Sequence, residues 1–307
     1  MRVAAITNDQ AAGLVDTATL LATGAQIAEV AGGCFCCRFS ELVEAADRVL
    51  AHQPDVLFCE AVGSCTDLVA TVAEPFAGFY GDTIELAPVS IFVDPLQFAI
   101  GGDDDVAYLC GQQLAEADLV VINKSDRSTP AQREAVARVC GDRTRIEIAA
   151  LTGAGIEEWL ALLGHGASCG HPLRTIDYDR YAHGESLLVW LNATATIVTP
   201  HDPRAVAERL ITRLATPGMA HVKLTVGAVR AHATSSAPAM VIDDLPVESA
   251  PRSIVTINAR VRGNADALRD VVRDALHVVH AHIDTMQAFH PGHPHPENPN
   301  PYLGVHA

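Results

Sequence analysis

Positive charge is scarce in this sequence. Its 307 residues hold 21 Lys and Arg against 37 Asp and Glu, a formal net charge of −16. That deficit argues against nonspecific binding of nucleic acid and against docking on anionic membranes, and it does not oppose a cationic metal. Aromatic residues are also few, at 5%, so a core must rest on Val, Leu, Ile and Ala. With 49% hydrophobic and 19% charged residues there is ample material for that core, and disorder as a class is excluded. No apolar run approaches the roughly 18 residues that a membrane helix needs. The N-terminus turns polar at Thr7-Asn8-Asp9-Gln10, too early for a signal peptide, so the chain reads as cytoplasmic. The 8 cysteines are too sparse for a disulfide scaffold. Cys34, Cys36 and Cys37 nevertheless crowd together, which in a reducing compartment points to metal or redox chemistry.

What is present is a regular alternation. Short apolar runs at 3–7, 55–60, 89–94, 119–122 and 145–149 read as strands. Amphipathic stretches at 40–52, 106–117, 130–140 and 156–163 read as helices, the first with Ser40 as a plausible N-cap. Strands alternating with helices imply an α/β fold with a mostly parallel open sheet and flanking helices. Ligands on such sheets bind at the carboxyl ends of the strands, where Asn8, Asp9, Glu60, Asp94 and the 123–126 segment all fall. Residues 164–177 are turn-rich. Beyond them, strand-like runs at 186–198, 221–229, 239–242 and 253–261 and helical runs at 203–214 and 265–280 suggest a small α+β domain of the split-βαβ kind. The expected organisation is a nucleotide-binding domain over 1–163, a linker over 164–180, an α+β domain over 181–283 and a disordered His/Pro-rich tail over 284–307.

Four segments carry chemistry. Asn123-Lys124-Ser125-Asp126 follows an apolar strand. A fixed Asp126 carboxylate can accept both the N1-H and the 2-amino hydrogens that distinguish guanine from adenine. Asn123 can bond the purine edge and tether neighbouring loops, while the stem of Lys124 lies along the base. A solvated polar loop is the plainer alternative. The small-residue loop containing Ala149, Ala150, Leu151, Thr152 and Gly153 follows the next strand and can bring backbone N–H groups to the base oxygen. Cys34, Cys36 and Cys37, preceded by Gly32-Gly33, have the thiolate spacing to bind Zn²⁺ or a similar transition metal, with a fourth position left open. Buried structural thiols are the alternative there. Glu60, three residues before Gly63, can hold Mg²⁺ through water or orient an attacking water, and the Gly63 N–H can meet a terminal phosphate. His290, His293 and His295 offer further metal ligands in the tail, and His280 and His282 fall near the end of the last helical run.

Together these residues resemble the CobW-like branch of the P-loop GTPases, relatives of HypB and UreG, over residues 1 to about 163. The Asn8-Asp9 strand end looks like the family's Asn-Asp or Asn-Glu, Gly33-Cys34-Phe35-Cys36-Cys37 like its Gly-Cys-x-Cys-Cys motif, Glu60-Ala61-Val62-Gly63 like its Walker B segment, and Asn123-Lys124-Ser125-Asp126 like its guanine motif. The resemblance implies catalytic roles for Glu60 and Gly63. It implies nucleotide contacts at Asn123, Lys124, Asp126, Ala150 and Leu151, and metal ligation at Cys34, Cys36 and Cys37. The implied cofactors are GTP, Mg²⁺ and Zn²⁺. The implied partners are a guanine nucleotide, a metal ion and a client metalloprotein, with a homodimer allowed and neither nucleic acid nor membrane involved. The family's opening strand and G-x-x-G-x-G-K-[ST] loop are missing: no such loop occurs in these 307 residues. Either the sequence begins after that loop, which the intact motifs favour, or the chain is a degenerate relative that binds metal without turning over nucleotide. In both cases hydrolysis by this chain alone is expected to fail, and the strands that would flank the lost one should keep unpaired edges.

Overall fold

The computed structural model describes residues 1–307 apart from 99–103, 165–168, 217, 236, 242–248 and 305–307. Part of the expected linker, the last residue of the 239–242 run and the final three residues of the tail lie outside the described residues. The chain divides into two units. One joins Met1–Val62 to Glu185–Gly292, the other joins Gly63–Gly184 to His293–Ala307. This differs from the expected partition at residue 163. Buried polar contacts tie the N-terminal strand to the C-terminal sheet, and they are invisible in a linear reading.

The first unit opens with β1 (Val3–Asp9), α1 (Val15–Leu21), β2 (Gln26–Ala31), α2 (Phe39–Leu50) and β3 (Val56–Glu60). The strands form a parallel sheet in the order β2-β1-β3. Strand residues alternate faces. Ala4, Ile6 and Asn8 are therefore buried, while Val3, Ala5 and Thr7 line a groove of about 390 Å³ with Leu20, Ile27, Phe58 and Glu60. Helix α2 buries Leu42, Ala45, Ala46 and Val49 on one face. Ser40 is not its cap: Arg38 occupies the N-cap position, and no side chain caps the helix. Helix α1 and strand β2 were not anticipated.

The remainder of this unit is a six-stranded sheet with helices α8 (Pro203–Leu214) and α9 (Ala265–Val278). Its strands are β7 (Val189–Ile197), β8 (Met219–Val226), β9 (Val229–Thr234), β10 (Ala237–Val241), β11 (Ser253–Val261) and β12 (His282–Phe289), in the order β10-β9-β8-β11-β7-β12. β11 lies antiparallel between β7 and β8, which is the expected split-βαβ arrangement with a β9–β10 extension. Leu210, Ile211, Val272 and Leu276 pack with Leu191, Leu224 and Ile257 in one large core. The expected disordered tail begins inside a strand: His282 opens β12, which pairs with β7.

The second unit contains α3 (Glu74–Tyr80), β4 (Ser90–Val93), α4 (Asp104–Glu116), β5 (Leu119–Ile122), α5 (Pro130–Cys140), β6 (Thr144–Glu147), α6 (Ile156–Leu163) and most of α7 (Tyr178–Ser186). Its parallel sheet runs β4-β5-β6, with every residue of β5 buried. Helix α5 starts at a full capping box, Thr129 with Gln132. The single open sheet expected from the sequence is thus two three-stranded parallel sheets. Among the described residues β3 pairs only with β1, and β4 only with β5. Residues 293–304 pack here without helix or strand. Asn300 is buried and donates to Asp67 Oδ1 at 2.6 Å and to the Leu173 carbonyl at 3.0 Å.

Glu116, at the end of α4, is buried in this unit. Its carboxylate accepts hydrogen bonds from Thr66 Oγ1 (3.0 Å), the Asp67 N–H (2.7 Å) and the Val69 N–H (2.9 Å). Burial pushes its pKa from 4.5 up to about 7 despite those donors. A folded value above the unfolded one means stability is fully present below about 4.5 and is lost as pH rises through about 7. Glu116→Gln cannot ionise. Its stability deficit relative to the parent, followed by urea unfolding, should shrink by about 3 kcal/mol across that window. A deficit that stays constant with pH would show that Glu116 folds already ionised at no cost.

Candidate functional site

The thiol cluster sits directly after β2. Gly32, at φ +90°, turns the chain in a conformation that disfavours a side chain, and a Cβ there would also have to displace the Arg38 guanidinium, 2.9 Å away at Nη2. The carbonyl of Cys34 then accepts the N–H groups of both Cys37 and Arg38 at 3.0 Å, which curls the segment into one tight turn. Three sulfurs converge inside it. Cys34 Sγ lies 3.0 Å from Cys36 Sγ and 3.2 Å from Cys37 Sγ, and Cys36 Sγ lies 3.7 Å from Cys37 Sγ. Cys34 and Cys36 are buried and Cys37 is half-buried, so one edge of the trio is open. A tetrahedral zinc with bonds of about 2.3 Å sets its thiolates about 3.8 Å apart, so this trio must open by less than an ångström to hold one.

Asn8 clamps the turn from beneath. Its Oδ1 accepts the Phe35 N–H at 2.8 Å, and its Nδ2 donates to the carbonyls of Val30 (3.0 Å) and Gly33 (2.8 Å). Asp9 contributes its carbonyl to the Gly32 N–H at 3.1 Å. The sequence marked Asn8 and Asp9 only as polar residues at a strand end. A buried asparagine beside a cysteine turn in an otherwise apolar strand is the signal that could have assigned the clamp.

Glu60 ends β3 with its carboxylate on the apolar groove. Glu60 is exposed at the edge of the groove, yet partial desolvation by the surrounding protein pushes its pKa up, helped by the like charge of Asp16 and opposed by Lys223. Gly63 belongs to the other unit, where its carbonyl accepts from Gln113 Nε2 at 3.0 Å. Gly63 has room for a Cβ, with nothing within 4 Å.

The guanine-type loop leaves β5 in the second unit. Asn123 is fixed by its N–H on the Val93 carbonyl at 2.9 Å. Its Oδ1 accepts the N–H groups of Lys124 (2.7 Å) and Ala150 (3.1 Å), which is the loop tether expected of it. Lys124 takes φ +58°, and its Nζ meets Asp94 Oδ2 at 2.6 Å. The Asp126 side chain projects to solvent. Ala150 is exposed with its N–H committed to Asn123, so Leu151, 62% exposed, is the better placed of the two to offer an N–H to a base. His293 and His295 form no three-ligand cluster. Among the described residues the thiol trio is the one group of three or more His, Cys, Asp or Glu close enough to share an ion.

Residues 1–149 match the CobW/HypB/UreG nucleotide-binding domain. The matched segment is 149 of the 307 residues, just under half of the chain. It includes the cysteine turn, Glu60 and the guanine-type loop. The zinc chaperone YeiR of Escherichia coli strain K12 is 33% identical to the chain over 135 residues. That match covers 40% of this chain and 38% of YeiR, so the chain matches well under half of that relative's length. Among solved structures, the Zn(II)-bound YjiA GTPase of Escherichia coli is 12% identical with a TM-score of 0.35, over 90% of this chain and 98% of that one. A zinc-bound triple mutant of YjiA is 13% identical with a TM-score of 0.37, over 89% and 90%. No helix among the described residues is long and apolar enough to cross a membrane.

Proposed function

We propose that the chain is a GTP-binding metal chaperone or insertase that carries Zn²⁺ or a similar ion on Cys34, Cys36 and Cys37 and passes it to a client metalloprotein in the cytoplasm. Guanine is read by Asn123 and Asp126, the stem of Lys124 lies along the base, and Leu151 and Ala150 border its oxygen. Mg²⁺ falls near Glu60, with Gly63 toward the terminal phosphate. The observation that carries this reading is the thiol trio, with all donor atoms within 4.8 Å of one another on a turn clamped by Asn8. The match of residues 1–149 to the CobW/HypB/UreG nucleotide-binding domain and the likeness to a protein named a zinc chaperone support it. The Asn123–Asp126 loop supports the guanine reading, and the sequence contains no G-x-x-G-x-G-K-[ST] loop to cradle the phosphates. That deficit favours a second reading: a carrier that binds metal and nucleotide without hydrolysis. The first test is metal uptake. The reduced chain should take up about one Zn²⁺ at a multi-thiolate site, and Co²⁺ in its place should give thiolate-to-metal charge-transfer absorption. Absence of that band would remove the thiolates as carriers.

Base selectivity tests the nucleotide half. An exposed Asp126 becomes covered when a base lies on it, and a covered carboxylate without donors costs on the order of 1–3 kcal/mol. GTP should therefore bind roughly tenfold or more tightly than ATP in competition titrations. Asp126→Asn should transfer the preference to the xanthine nucleotide, whose 2-oxo group accepts from an amide. Equal binding of GTP and ATP by the parent would leave the loop without a reading role.

A further inference from the structure

The polar side chains buried on the six-stranded sheet include two asparagines and an arginine beside apolar neighbours: Asn192 on β7, and Asn258 and Arg260 on β11. Arg260 is 6% exposed. Its guanidinium lies over the Trp190 ring, 3.9 Å from the centroid, while Nη2 donates to Asp9 Oδ2 at 2.7 Å and Nη1 to Asn192 Oδ1 at 3.3 Å. A buried ion pair is rarely a net source of stability, because desolvation offsets the attraction. Its placement here is specific. Asp9 carries the carbonyl that holds Gly32, and Asn8 beside it holds Gly33 and Phe35, so both backbone anchors of the thiol turn lead to two consecutive residues. On the other side of Asp9 the same polar row holds the chain onward. Asn192 Nδ2 donates to the Ala11 carbonyl (3.0 Å), Asn258 Nδ2 donates to the Gly13 carbonyl (3.0 Å), and Asn258 Oδ1 accepts the Val15 N–H (2.7 Å).

We propose that Arg260 is a positioning residue for the thiol site. Through Asp9 it fixes the floor on which Cys34, Cys36 and Cys37 stand, and it couples metal occupancy to the C-terminal sheet at Trp190. The proposal rests on the reading that these three thiolates hold the ion. The sulfurs must spread when an ion enters, the turn is anchored at Asn8 and Asp9, and a displacement of Asp9 reaches the guanidinium stacked on the indole.

The test uses the full chain, reduced, with Zn²⁺ alone as probe. Affinity is read by competition with a chromophoric chelator, and occupancy by Trp190 emission in a Trp159→Phe background, which leaves one tryptophan. Zinc should shift Trp190 emission in that background. Arg260→Met should weaken zinc about tenfold with the stoichiometry unchanged and abolish the shift, and Arg260→Lys, which keeps the charge facing Asp9, should return affinity to within about threefold of the parent. If Arg260→Met does not fold because Asp9 is left buried without a counter-charge, the neutral pair Asp9→Asn/Arg260→Met is read instead, with the same tenfold loss expected. Affinity within twofold of the parent in whichever variant folds overturns the proposal, and so does a Trp190 emission that zinc does not move. Zinc uptake that survives Cys36→Ser/Cys37→Ser overturns the thiolate reading beneath it instead, so the two failures are told apart.

Discussion

Replacing Cys36 and Cys37 together by serine should lower the zinc affinity of the chain by at least a thousandfold, about 4 kcal/mol. Two of three converging sulfurs are removed, and a neutral hydroxyl does not replace a thiolate on a borderline-soft ion. The turn itself should persist, because its hydrogen bonds run through backbone groups and Asn8, none of which the substitutions touch. Competition with a chelator of known affinity gives the number, and far-UV circular dichroism confirms the fold. Zinc bound as tightly as by the parent would exclude the cysteine turn and move attention to His290, His293 and His295.

No phosphate release from GTP is expected of residues 1–307 alone. Phosphoryl transfer is almost wholly positioning and charge stabilisation. The proposed nucleotide site has the Asn123–Asp126 loop for the base and Glu60 for a water or Mg²⁺, and the sequence contains no G-x-x-G-x-G-K-[ST] loop for the β- and γ-phosphates. Losing the cradle amides, the phosphate lysine and the Mg²⁺-binding hydroxyl removes several charge-assisted contacts of roughly 1.5–3 kcal/mol each. A few such losses take a micromolar site beyond millimolar, since about 1.4 kcal/mol is tenfold. A strand, glycine-rich lysine loop and helix joined ahead of Val3 should recover turnover, and Glu60→Ala should remove it again. Robust release by the chain alone, lost in Glu60→Ala, would reveal a phosphate site built from residues assigned no such role above.

The strands and helices with strong local periodicity were legible in the sequence. β5, α5, α6, α8 and β11 match their expected ranges because each is bounded by its own stop signals, such as Thr129-Pro130 or Asn123. The cysteine turn and the tether from Asn123 to Ala150 were legible too, since both depend on neighbours along the chain or one loop away. Strand β2 was missed because Gln26–Ala31 alternates weakly, with a glutamate in its middle. β12 was read as the end of a helix and a tail because its sequence, HIDTMQAF, becomes a strand only through pairing with β7. The partition of the chain was not legible at all. Asp9–Arg260 and Asn258–Gly13, pairs some 250 residues apart, lie within one unit, and nothing local marks such partners. A buried arginine in an alternating apolar strand is the one trace they leave.

The interleaving of the two units also orders events on the ribosome. The first unit is written in two instalments, with 63–184 between them. At about 5–20 residues per second that insertion takes on the order of ten seconds to synthesise. Throughout that interval β1, β2 and β3 emerge without the sheet that supplies Arg260 and Asn258, while β4, β5 and β6 can already pair among themselves. The nascent cysteine turn must then wait with Asp9 unmatched and its thiols accessible. The Asn8 contacts of the cysteine turn lie wholly within the first instalment, whereas the Asp9–Arg260 pair beneath it can form only after the second.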